Sequence, residues 1–142
     1  MNQPLNSIWQ ITGASLLGGP FTGFYLMHKN FKVLGQSSSA KFSLNLGFIF
    51  GLLLVLVTIF APENFNGIVF AGIYCGLIRI YAEKTQGENY SKHIENGGSK
   101  ASQWQWFLTG IVSMLIFFVV AFLVAFLLMT FAPEILPDHW YE

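Results

Sequence analysis

Residues 104–131, WQWFLTGIVSMLIFFVVAFLVAFLLMTF, contain no ionisable side chain. Crossing a hydrocarbon layer about 30 Å thick takes roughly 20 apolar residues in a helix, and few soluble cores need so long an uncharged run. Residues 42–60, FSLNLGFIFGLLLVLVTIF, repeat the property, while residues 8–27 and 65–81 are weaker, Gly-rich versions of it. Only 10% of the 142 residues are charged, against about 25% in a soluble domain. Lipid-exposed strands would alternate polar and apolar residues, and these runs do not. The sequence therefore predicts an all-α membrane protein, a four-transmembrane-helix bundle forming one polytopic domain over residues 1–142, with loops at 28–41 and 82–103. The fourth run exceeds one bilayer, so its helix is expected to tilt or project.

Charge placement predicts an orientation. All seven basic residues fall in two connections: Lys29, Lys32 and Lys41 in one, Arg79, Lys84, Lys92 and Lys100 in the other. Glu63, Glu134, Asp138 and Glu142 occupy the opposite turns. By the positive-inside rule both basic loops face the cytoplasm and both termini face out, in the cytoplasmic membrane. MNQPLNSIWQ lacks a basic n-region, and no A-x-A site follows, so the first run is expected to be a retained helix and not a secretory leader. Trp9, Trp104, Trp106 and Trp140 lie near proposed helix ends, where an amphipathic ring suits the headgroup level. Pro62 in APENFNG stops the second helix and predicts an antiparallel hairpin with the third. Within the second loop, residues 88–95 look helical, with Asn96-Gly97-Gly98 as a stop.

Residues 16–31, LLGGPFTGFYLMHKNF, interrupt an apolar helix with Gly18-Gly19-Pro20. Pro20 removes the bond to the Leu16 carbonyl, so a kinked first helix is expected. Ser15, Gly19 and Gly23 recur every four residues, as do Ser43, Gly47 and Gly51 on the second helix and Gly72 and Gly76 on the third. Such stripes let helix backbones approach in lipid, and they predict close packing of the first three helices. A substrate site at the break is the competing reading, since transporters use broken helices. It normally brings an embedded charge, and none lies mid-span.

The inner ends collect polar residues. His28, Lys29, Asn30, Arg79, Glu83 and His93 together could bind an anion, a lipid headgroup or an acidic partner; an ordinary basic rim is the alternative. No catalytic residues are identified: Ser91 and Ser102 near His93 lack a nucleophile motif. No metal site is expected, because His28 and His93 are placed opposite His139 and Cys75 has no partner. No cofactor and no nucleic-acid module is indicated.

Two stretches, GGPFTGFYLMHKNFKVLG and QGENYSKHIENGGSKASQW, the second carrying His93, Gly97-Gly98, Ser102 and Trp104, resemble a family of small multi-helix bacterial membrane proteins with no assigned activity. The resemblance implies no catalytic residue or cofactor, only that the two stretches belong together. The expected role is non-enzymatic: an accessory, scaffold or interaction subunit, immunity-type in one version, with lipid and a second copy or another membrane protein as partners. A small oligomeric transporter or channel using the Gly-Pro break is the alternative. A lipid-acting enzyme is third.

Overall fold

The computed structural model describes residues 3–137 and Trp140. Four α-helices follow one another: α1 (Ile8–Val33), α2 (Ser37–Phe60), α3 (Gly67–Glu95) and α4 (Gln103–Phe131), with a short 3-10 turn at Pro133–Ile135. The all-helical expectation holds among these residues. Two helices, α2 and α4, are long and apolar enough to cross a membrane.

The break in α1 is far more than a kink. Gly19 leaves helical space entirely, at φ 77 and ψ 178, a region essentially restricted to glycine. Pro20 follows with no N–H to continue the ladder. The chain reverses there. Asn6 and Asn30 are 24 positions apart, which a straight helix would stretch to about 36 Å, yet the Asn6 backbone N–H donates to Asn30 Oδ1 at 2.8 Å. The Ser15 side chain meets the Cα face of Gly23 across the fold. α1 is thus a helical hairpin, a first arm over residues 8–18 and a second over 20–33, and it does not run from one end of the molecule to the other. This corrects the expected span at 8–27. Hydrophobicity and length cannot distinguish one crossing from two half-depth arms.

The hairpin is the hub of the bundle. α2, α3 and α4 each pack on α1, while among the described residues the backbone of α3 does not closely approach that of α2 or α4. The expected α2/α3 hairpin is therefore open: a turn at residues 61–66 joins two helices whose backbones stay apart and which each pack on α1. The core lies along the hairpin, where Ile11, Ala14, Leu26 and Met27 are fully buried beside Ile78 and Ala82. A second, smaller cluster at the far end joins Val55 and Ile59 to Leu136, with Ala121 and Val124 against it.

Both proposed loops shrink. α1 and α2 are joined only by residues 34–36, and α3 continues through the polar stretch to Glu95, so the loop expected at 82–103 is reduced to 96–102. The polar stretch is thus the C-terminal part of a helix and not a loop. Spacing-four pairs support it: Arg79 with Glu83 at 3.0 Å and Lys92 with Glu88 at 2.6 Å. Its hydrogen bond to Lys92 holds the Glu88 carboxyl below its ordinary range. The stop is as expected. Gly97 takes φ 79 and its N–H bonds the Ile94 carbonyl, while Gly98 N–H bonds that of His93.

Candidate functional site: the clamp and groove of the α1 hairpin

The two ends of the hairpin meet in a buried polar clamp. Ser7 caps the first arm through a reciprocal capping box with Gln10. Gln10 Nε2 donates to the Ala101 carbonyl at 2.8 Å, and Leu5 pairs by backbone with Ser99 and Ala101. Asn30 Nδ2 donates to the Asn6 carbonyl at 2.8 Å and to Gln86 Oε1 at 3.0 Å. Gln86, 1% exposed, in turn donates to the Met27 carbonyl at 2.9 Å. The chain start therefore lies at the same end as both basic connections, hereafter the loop end, and not opposite them as the charge pattern alone suggested. The two stretches linked by resemblance do meet, through Asn30, Met27 and Gln86.

The fold distributes the candidate inner-face residues around the hairpin instead of gathering them. Asn30 is locked in the clamp. His28 Nδ1 donates to the Ala40 carbonyl at 2.8 Å, pinning the second arm to α2. Lys29 lies with its ammonium 5.8 Å from the Tyr25 ring centre. Arg79 sits on α3 with its guanidinium 4.1 Å over Trp9, and pairs with Glu83. His93 lies against Gly98 and reaches the Ser99 carbonyl at 3.3 Å, closing the end of α3. His139, with Asp138 and Glu142, lies outside the described residues.

The small-residue stripes work differently from their spacing. Gly47 and Gly51 of α2 receive Phe21 and Phe24, not the glycines of α1. Gly23 faces Ile78 of α3. Gly18 meets α4: a methyl group there would stand 2.6 Å from the Gly110 carbonyl oxygen and 2.8 Å from the Ser113 Cβ. Gly72 and Gly76 face open space, so the expected α3 stripe packs on nothing. Ser43 is fully buried with its Oγ unpartnered among the described residues. At the tip, hydroxyls cover carbonyls close to the break: Thr22 donates to Gly18 at 2.8 Å, Ser15 to Ile11 at 2.8 Å, and Tyr74 of α3 to Ser15 at 3.4 Å.

No family model, curated protein or solved structure matches this chain. Function is therefore argued from its own residues.

Sequence reasoning missed Asn6, Gln10 and Gln86, the clamp that fixes the hairpin. One signal was present: Ser7-x-x-Gln10 before an apolar run marks a helix start. Gln86 had none, because a buried glutamine in a polar stretch looks like any solvated one. Among the described residues no three His, Cys, Asp or Glu side chains come together as a metal-binding group.

Proposed function

We propose that this is a non-enzymatic integral membrane protein, an accessory or interaction subunit of the cytoplasmic membrane, built as three crossings around a re-entrant hairpin. The observation that carries it is the surface of α4. Only 6% of its most apolar 18-residue window is buried within the chain, so it is not the core helix of a soluble fold, and Phe118, Phe122 and Phe126 are more than half exposed. Water would charge heavily for that surface, whereas acyl chains or another membrane helix would not. A re-entrant backbone is tolerated at membrane depth when protein encloses it, and here α2, α3 and α4 do so. The basic residues collect at the loop end, which faces the cytoplasm in this reading. The chain then starts inside and ends outside.

The protein is expected to resist alkaline carbonate extraction and to dissolve only in detergent; release by carbonate would reject membrane integration. The tip of the hairpin favours a second reading, a small channel or transporter, since broken helices at mid-depth can serve ions. Against it, the crevice beneath the tip is lined by apolar side chains with Ser113 as its sole polar one. Flux through liposomes containing the protein, above that of empty ones, would support the second reading over the first.

A further inference from the structure

Three adjoining hollows line the seam between the second arm of α1 and α4. At the loop end, a cavity of about 280 Å³ is walled by Gln3, Asn6, Lys29, Lys32 and Gln105. Lys29 also lines the next, about 400 Å³, which passes Tyr25, Leu108 and Val112. Phe21, Ser113 and Ile116 are shared with the third, about 280 Å³, which ends beneath Gly18-Gly19-Pro20. The seam is thus cationic at its mouth and largely apolar beyond it, with Thr109 and Ser113 as hydroxyls along its length. Among the described residues the ion pairs are Arg79 with Glu83 and Lys92 with Glu88, so neither lysine of the mouth is neutralised by a carboxylate.

We propose that this seam holds one anionic glycerophospholipid, its phosphate against Lys29 and Lys32 and one acyl chain running past Tyr25 and Val112 to the crevice under the hairpin tip. The proposal rests on the membrane reading above. Polarity and length both select the ligand. From Gln105 to Val120, the α4 residues at the two ends of the seam, the helical rise covers about 22 Å, short of a hydrocarbon layer about 30 Å thick, so the seam does not pass from one face to the other. Basic side chains at the cytoplasmic surface attract anionic headgroups. A free phosphate would leave the apolar length of the seam unused. Because the tip closes the inner end, the seam fits a single chain better than a crossing helix.

The test is native mass spectrometry of the detergent-solubilised full chain, titrated with phosphatidylglycerol or phosphatidylcholine of identical acyl chains. Wild type is expected to prefer phosphatidylglycerol by roughly thirtyfold, as two surface lysines would give. Lys29→Ala with Lys32→Ala should erase that preference without moving Tm, and Val112→Trp, which fills the seam, should weaken retention of both lipids. Glycerol 3-phosphate, a headgroup without chains, should not compete. Equal binding of the two lipids by wild type, a preference that survives the double substitution, unchanged retention by Val112→Trp, or competition by glycerol 3-phosphate would each overturn the proposal. Carbonate extraction reads membrane integration separately, so failure of the lipid site is distinguishable from failure of the membrane reading.

Discussion

At the residue scale the fold depends on a few positions where one side-chain atom decides the backbone. Gly19 occupies a φ, ψ region that a Cβ disfavours, and a methyl group there would also approach Leu54 Cδ2 at 3.0 Å. Gly19→Ala is expected to cost about 1–3 kcal/mol, seen as a lower Tm in detergent. Gly76→Ala, whose methyl meets nothing within 4 Å, should be neutral or stabilise by up to about 1 kcal/mol through helix propensity. Both glycines belong to small-residue stripes in the sequence, and only the structure separates their roles. Gln86 carries the opposite lesson: Gln86→Leu leaves the Met27 carbonyl without its side-chain donor and removes an acceptor from Asn30, and a buried group left unpaired costs about 1–3 kcal/mol. A thermal shift of less than that for Gln86→Leu would show that the clamp does not hold the hairpin.

At the element scale, α1 is read correctly as helical and broken, but as one kinked run where the structure has two arms that fold back on each other. Its apolar length is right for a span, and Gly18-Gly19-Pro20 announces an interruption, but a bend of some tens of degrees and a full reversal leave the same local signature. Gln3 and Lys32 line one cavity in the folded chain, whereas a straight helix between them would hold them roughly 40 Å apart. Spin labels on Gln3→Cys and Lys32→Cys, with Cys75 replaced by Ala, are expected to report a distance far below that; a separation near the straight-helix value would discard the hairpin. α3 shows the complementary case. Its polar end reads in sequence as a loop with a helical piece at residues 88–95 and an Asn96-Gly97-Gly98 stop; the structure keeps the piece and the stop and joins the piece to the third helix without a break.

For the whole molecule, the proposed membrane reading gives three crossings once the hairpin is folded, and so places the beginning of the chain on the side of the basic residues. A start at the loop end and a finish beyond α4 predict opposite sides for the two termini. Reporters fused to each end should place the start in the cytoplasm and the end outside; two reporters on the same side would contradict three crossings. The sequence by itself determined what each segment is made for: helices without strands, two long uncharged runs, a break at Gly19 and Pro20, and one charge-rich end. Those properties are local, set by side-chain transfer energies and by glycine and proline stereochemistry. Only the tertiary structure decided how the pieces count and meet. The reversal at Gly19 needs Asn6, Asn30 and Gln86 brought together from three distant stretches, and the seam beside α4 exists only because the second arm returns. Contacts of that range arise from the free energy of the assembled bundle, in which buried amides must find partners, and no window of sequence contains it.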